Sequence, residues 1–128
     1  MFGKVILWLT AIAFIPYGLA CFFWPDLPAG YAGLALTNGN AVAEISAMYG
    51  GLQTGFGLFC ALAAVRQEYF RAGLVLLILC LGLLSMGRFY QLVIGGQTVG
   101  AYTYGAMFYE FTTAILAAFA LRNESVVK

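Results

Sequence analysis

From Glu44 to Gly57 the chain reads EISAMYGGLQTGFG, which places a carboxylate, a tyrosine, an amide and four glycines in an otherwise apolar helical pattern. Inside a membrane these polar groups cannot rely on water, and each unsatisfied group costs several kcal/mol. Their partners must therefore come from neighbouring helices. The stretch predicts a membrane protein whose helices meet around a polar centre.

The composition of the whole chain agrees with this prediction. Of its 128 residues, 63% are hydrophobic and only 9% are charged. Soluble domains carry about a quarter charged residues, and a chain of this length could not bury so much apolar surface away from water. Lipid removes that difficulty, so we expect an integral membrane protein.

Several function classes are disfavoured by what the sequence lacks. The net charge of +1 includes no basic block, which argues against nucleic acid as a partner. Histidine is absent, and with it the commonest general base and metal ligand. Cys21, Cys60 and Cys80 have no metal-ligand or CxxC spacing, so we interpret them as small apolar side chains within the helices. We predict no metal, no cofactor and no catalytic residue, which favours a protein that is not an enzyme.

Apolar runs of about 20 residues, the length that crosses a bilayer, predict four membrane-spanning helices. Their expected bounds are residues 4–24, 41–65, 72–93 and 102–121. Short connections favour consecutive helices that lie side by side. The predicted fold is therefore a single domain, an all-α antiparallel bundle of four transmembrane helices.

The segments between the spans are predicted to be loops. The first, residues 25–40, contains two prolines and ends in a turn from which Asn40 would cap the second helix. The second is a charged hairpin at residues 66–71, and the third is a glycine-rich turn at residues 95–100. A polar tail is expected from residue 122 to residue 128.

The positive residues in the connections and at the ends of the spans set the expected orientation in the membrane. They all fall on one side of the four-helix arrangement: Lys4, Arg66, Arg71, Arg122 and Lys128. Cytoplasmic loops carry an excess of lysine and arginine. Both termini are therefore predicted to be cytoplasmic, with the first and third connections outside.

Three ionisable residues remain inside the predicted spans, Glu44, Arg88 and Glu110, each on a different helix. An ionised side chain near the middle of a bilayer costs at least about 2.5–3.5 kcal/mol, so each should face inward and find a partner. Arg88 is the one cation available to two carboxylates. We predict an Arg88–Glu110 contact, with Glu44 close enough to share it.

Helical periodicity divides the second span into two faces. One is a ridge of small residues that favours close helix packing, formed by Ala43, Glu44, Ala47, Gly51 and Gly55. The other consists of Ser46, Tyr49, Gln53 and Gly57. We assign the ridge to packing on a neighbouring helix and the second face to the lining of a cavity.

Our first functional hypothesis is a membrane module that binds or transports a small lipophilic or amphipathic ligand. Its pocket would lie in the outer half of the membrane and be lined by Glu44, Tyr49, Gln53, Arg88, Gln91 and Glu110. Arg88 would bind an anionic or carbonyl group, Glu110 would hold Arg88, and Glu44 would act as a second acceptor or proton carrier. One arginine cannot neutralise two carboxylates, which leaves a charge for a ligand to match.

Two other hypotheses use the same residues differently. In one, Glu44, Arg88 and Glu110 are a purely structural ion-pair pin in an accessory or scaffold protein, which assembles through its glycine faces. In the other, Glu44 and Glu110 are acid and base in an intramembrane isomerase or redox enzyme. The expected partners are membrane lipid, a lipophilic ligand, and either a second copy of the chain or a larger membrane complex.

The segment from Glu44 to Gln53, together with Gly87-Arg88-Phe89 and Tyr109-Glu110, resembles a bacterial domain-of-unknown-function family of small four-span inner-membrane proteins. The spacing Glu-x-x-x-Met-Tyr-Gly-Gly is the most specific part of a resemblance that covers nearly the whole chain. That family is distantly similar to the DoxX/DoxD-type four-helix membrane proteins. The resemblance implies a multi-pass protein of the bacterial cytoplasmic membrane. It implies no activity, so no catalytic residue is carried over.

Overall fold

A computed structural model describes residues 1–96 and 98–126, with side chains described as far as Asn123. Gln97 of the predicted glycine-rich turn, and Val127 and Lys128 of the predicted polar tail, lie outside the described residues. In the described part of the chain every regular element is helical, and four helices are long and apolar enough to cross a membrane. The prediction of an all-α protein with four such helices is confirmed.

The helices follow one another with few connecting residues. In chain order they are α1 (Phe2–Phe23), α2 (Asp26–Ala32), α3 (Gly39–Ile45), α4 (Leu52–Val65), α5 (Gln67–Val93) and α6 (Ala101–Val126). A π-helical turn, Ser46–Gly51, joins α3 to α4. These three elements form one continuous candidate span, Gly39–Val65.

The first connection contains a short helix where the sequence predicted a loop. Asp26 lies in the first turn of α2, where a negative charge favours the helix dipole. Pro28 also lies near its start, where proline is tolerated because early amides have no intrahelical acceptor. Gly33 ends α2 in the left-handed conformation, with φ of 69°, and its N–H bonds to the carbonyl of Ala29.

The second span is capped by Asn38, so the prediction that Asn40 caps it is wrong. Asn38 has extended backbone angles, and its side chain accepts a hydrogen bond of 3.1 Å from the amide of Ala41. A capping side chain must stand outside the helix and reach an amide two or three residues ahead. Asn40 already lies inside the first turn of α3, which begins at Gly39.

Replacing Asn38 by alanine is expected to lower the free energy of unfolding by about 1 kcal/mol, the usual value of such a cap. The matched control is Asn40→Ala, which removes the same side chain two residues later and should change stability by less than half as much. Unfolding of the purified protein in detergent micelles measures both. Equal losses in the two variants would contradict the assignment of the cap.

The charged hairpin predicted at residues 66–71 is also wrong. Helix α5 begins at Gln67, and Arg66 is the one residue between α4 and α5. Its φ of −104° and ψ of 115° interrupt the helical backbone. Since charged side chains at a helix start need only water, the sequence pattern could not distinguish a loop from a first turn. The described part of the predicted polar tail is helical, because α6 continues to Val126.

The described chain divides into two compact units. The N-terminal unit comprises residues 7–62, and the C-terminal unit comprises residues 1–6 together with the chain from Ala63 onward. The candidate site residues are divided between them. Glu44, Tyr49 and Gln53 belong to the N-terminal unit, whereas Arg88, Gln91 and Glu110 belong to the C-terminal unit.

In the N-terminal unit, α1 and the second span approach one another through glycines. A Cβ atom added to Gly18 would lie 2.6 Å from the amide nitrogen of Thr54, and one added to Gly50 would lie 2.5 Å from Cα of Phe22. Further along, a Cβ on Gly57 would lie 3.0 Å from the nitrogen of Ile15. Residue numbers rise along one helix as they fall along the other, so the two helices are antiparallel.

These contacts show that the predicted packing ridge is wrong. Gly55 has nothing within 4 Å of an added Cβ, and Ala43, Glu44 and Ala47 are exposed. The π turn explains the difference. The amide of Leu52 bonds to the carbonyl of Ala47, five residues back. A turn with one extra residue shifts the phase of everything after it by about 100°, so a ridge extrapolated from Glu44 no longer reaches Gly55 on the same face.

In the C-terminal unit, α5 packs antiparallel to α6. Along α5 the buried side chains recur at helical spacing: Phe70, Leu74, Leu77, Leu81 and Ser85. The buried residues of α6 are small, among them Ala114, Ala117 and Ala120. Large side chains on one helix and alanines on the other allow the two backbones to approach closely, which positions the polar residues of both helices.

Candidate functional site

Arg88 of α5 and Glu110 of α6 form an ion pair, which confirms the predicted contact. The Nε–H of Arg88 donates to both carboxylate oxygens of Glu110, at 3.2 Å to Oε1 and 3.1 Å to Oε2. The Nη2 group donates to Oε1 at 3.2 Å. Charge-assisted bonds from several guanidinium donors to one carboxylate hold the arginine in a defined orientation.

One helical turn from this pair, a second polar contact joins the same two helices. The Ser85 hydroxyl donates to the backbone carbonyl of Met107 at 3.3 Å. Ser85 and Arg88 are three residues apart on α5, so their side chains lie on one face of that helix. Ser85 and Glu110 are both buried. The register between α5 and α6 is thus defined by two polar contacts.

The two partners of the ion pair differ in exposure. The side chain of Glu110 is 7% exposed, whereas that of Arg88 is 26% exposed. The Arg88 Cζ atom lies 5.9 Å from the ring centroid of Tyr102, which is within the range of a cation–π contact. The buried carboxylate therefore anchors an arginine whose outer part remains accessible beside an aromatic ring.

Glu44 and Tyr49 lie together in a different setting, an open cleft of about 320 Å³ in the N-terminal unit. We call it the Glu44 cleft, and its lining residues are Leu34, Ala35, Ala41, Glu44, Ile45, Met48 and Tyr49. The lining is mostly apolar and contains one carboxylate. Leu34 and Ala35 come from the first connection, and Met48 and Tyr49 come from the π turn.

The two glutamines of the predicted pocket have separate surroundings. Gln53 is half-buried in α4, and Gln91 is exposed near the end of α5, with its side chain against Gly95. The structure thus brings Arg88 together with Glu110, and Glu44 together with Tyr49. It stays a prediction that one pocket is lined by all six residues: Glu44, Tyr49, Gln53, Arg88, Gln91 and Glu110.

A third polar cluster joins α1 to α2. The hydroxyl of Tyr31 donates to that of Tyr17 at 2.6 Å, next to the buried side chain of Cys21. Sequence reasoning placed Tyr31 in a loop and Cys21 among apolar fillers, so it missed this contact. Among the described residues, no group of three or more histidine, cysteine, aspartate or glutamate side chains could hold a metal ion.

Residues 2–121 match the model of a domain of unknown function, DUF4345. The chain belongs to the DUF4345 family. No curated protein and no solved structure matches it. The matched residues of this DUF4345 protein include both the Arg88–Glu110 pair and the Glu44 cleft, and they reach into all four candidate spans.

Two features of the DUF4345 protein were missed from its sequence, although each left a signal. Tyr102 precedes Glu110 by eight residues, about two helical turns, which already places its ring on the side of the ion pair. The π turn ends in Gly50-Gly51, and consecutive glycines lower helix propensity by about 1 kcal/mol each. A local departure from the α-helix is least costly at such a point.

Proposed function

We propose that this DUF4345 protein is an integral membrane module that binds a small amphipathic ligand through Arg88. The observation that carries the proposal is the unequal exposure of the ion pair: the Glu110 side chain is 7% exposed and the Arg88 side chain 26%. Glu110 orients the guanidinium, and the exposed part of Arg88 presents it to an anionic or carbonyl group.

The surroundings of Arg88 suit an amphipathic ligand better than a small inorganic ion. The Tyr102 ring lies beside the guanidinium and offers an apolar face next to the charge. A carboxylate or carbonyl head at Arg88 with an apolar body along the Tyr102 ring would satisfy both parts of such a molecule.

In this proposal the protein lies in the bacterial cytoplasmic (inner) membrane with both termini in the cytoplasm. The positive residues Lys4, Arg66, Arg71 and Arg122 support that orientation. Arg88 and Glu110 then lie in the outer half of the membrane, where a ligand reaches them from the outer leaflet. The distant similarity to DoxX/DoxD-type proteins belongs to the same proposal.

Native mass spectrometry of protein purified in mild detergent tests this function. We expect a bound small molecule in the wild-type protein and at least a tenfold lower occupancy in Arg88→Lys. Lysine keeps the positive charge opposite Glu110 but cannot reproduce the planar, bidentate geometry of a guanidinium. The matched control is Arg71→Lys, an exposed position on the same helix, which should retain the ligand. Unchanged occupancy in Arg88→Lys, or no bound molecule in the wild-type protein, would refute the proposal.

A second candidate function is an accessory subunit that assembles through small residues of the second span. The exposure of Ala43 and Ala47, four residues apart, favours it, because small exposed residues on one helix face let another transmembrane helix approach closely. The same mass spectra separate the two functions. A stoichiometric protein partner, or a second copy of the chain without a small molecule, would favour assembly over ligand binding.

A further inference from the structure

The Glu44 cleft contains a carboxylate that the proposed function does not use. Glu44 is exposed, and among the described residues the structure gives it no hydrogen bond or ion pair. It lies five residues after the start of α3, which is about 8 Å along the helix at 1.5 Å per residue. A carboxylate within a membrane span is stabilised by a countercharge, which a cationic ligand in the cleft would supply.

The lining of the cleft limits the kind of cation. Leu34, Ile45 and Met48 present apolar surface around the carboxylate, which suits an alkyl chain better than a hydrated metal ion. Methionine adapts its shape to different apolar groups. The volume of about 320 Å³ is at the lower end of ligand pockets. It suits one chain rather than the two chains of a phospholipid.

The π turn contributes directly to this cleft. Its extra residue widens the helix, and two of its members, Met48 and Tyr49, line the cleft. Such insertions are rare and occur frequently at functional sites. Here the insertion lies one residue after Ile45, so the carboxylate of α3 and the side chains of the π turn face the same space.

We propose that the Glu44 cleft binds a single-chain amphiphile with one ammonium group. The ammonium pairs with Glu44, and the alkyl chain lies against Ile45 and Met48. This site is independent of the proposed function at Arg88, since it uses the opposite charge and residues of the N-terminal unit alone. Its occupant is a free amine rather than a lipid headgroup.

The experiment uses the full chain in a neutral maltoside detergent and two probes of equal length, dodecylamine and dodecanol. Native mass spectrometry measures the dissociation constant of each. At pH 7 the amine carries a positive charge and the alcohol does not. We expect the wild-type protein to prefer dodecylamine by about fivefold, which corresponds to the upper value for a solvent-exposed ion pair, about 1 kcal/mol.

Two pairs of variants complete the test. Glu44→Gln should abolish the preference for the amine, whereas Glu68→Gln, a matched change of an exposed residue in α5, should retain it. Ala41→Leu should weaken both probes by filling the cleft, whereas Ala43→Leu, at an exposed position of the same helix, should not. Thermal unfolding midpoints verify that each variant is folded.

Three results would overturn the proposal. The first is equal affinity of the wild-type protein for the amine and the alcohol. The second is a variant that behaves like the wild-type protein: a preference for the amine that is unchanged in Glu44→Gln, or an affinity for both probes that is unchanged in Ala41→Leu. The third is displacement of dodecylamine by an equal concentration of a short-chain phosphatidylethanolamine, which would assign the cleft to a lipid headgroup.

Discussion

Replacing Glu110 by leucine is expected to lower the free energy of unfolding by about 3 kcal/mol. The variant leaves the Arg88 guanidinium in a membrane span without the carboxylate that accepts three of its hydrogen bonds. Removing one partner of a buried ion pair costs about 3–5 kcal/mol. We expect the lower end of that range because 26% of the Arg88 side chain is exposed. Denaturation in mixed detergent micelles measures the loss.

A double variant separates the pairing of the charges from the packing of the side chains. Arg88→Met combined with Glu110→Leu removes both charges and keeps similar side-chain volumes. Since apolar residues often replace a buried ion pair without loss of stability, the double variant should recover most of the 3 kcal/mol. Glu68→Leu in the exposed first turn of α5 is the control, with an expected change within about 0.5 kcal/mol. A double variant as unstable as Glu110→Leu would contradict this account.

The stable double variant also distinguishes a structural pin from a binding site. If the ion pair is only a structural pin, the apolar replacement restores the fold and, with it, any binding of a ligand. In a binding site, the fold returns but the anionic or carbonyl group of the ligand has no guanidinium to bind. We therefore expect the double variant to be folded and free of the molecule that co-purifies with the wild-type protein.

The Arg88–Glu110 pair could be predicted because a charged side chain inside a membrane can be stabilised in only a few ways. A single arginine within the spans, and a glutamate on the next helix at matching depth, leave little freedom for their partners. The four candidate spans followed from length and hydropathy for the same reason, since a bilayer requires about 20 apolar residues. Both predictions depended on the length, hydropathy and depth of the spans. These quantities change little when the end of a helix is slightly misplaced.

The helix phase after the π turn, the cap of α3 and the lining of the Glu44 cleft depended on local backbone geometry, which the periodicity of the sequence does not reveal. The phase of Gly55 relative to Glu44 was wrong because one extra residue in the π turn rotates the helix after it. Asn38 and Asn40 are the same residue type two positions apart, and the start of α3 at Gly39 decides which one caps. Leu34 lines the Glu44 cleft and follows Gly33, whose left-handed conformation comes directly after the last residue of α2, Ala32.

Glycines of the second span are expected to respond very differently to the same substitution. Gly50→Ala should lower the free energy of unfolding by about 3 kcal/mol, the upper value for overpacking a core. Its added Cβ would lie 2.5 Å from Cα and 2.8 Å from the backbone nitrogen of Phe22. A side chain could rotate away from such a contact, but backbone atoms cannot, so α1 and the second span must separate.

Gly55→Ala is the matched control, five residues later in the same span. Nothing lies within 4 Å of its added Cβ, and alanine is the better helix former by about 1 kcal/mol. We expect Gly55→Ala to be neutral or stabilising in the same unfolding measurement. Sequence periodicity assigned Gly55 to the packing ridge and left Gly50 out of it. It therefore predicts that Gly55→Ala destabilises the protein more than Gly50→Ala does. A larger loss of stability for Gly55→Ala than for Gly50→Ala would contradict this explanation. It would indicate an uninterrupted α-helix through the second span, without the π turn that explains both the helix packing and the Glu44 cleft.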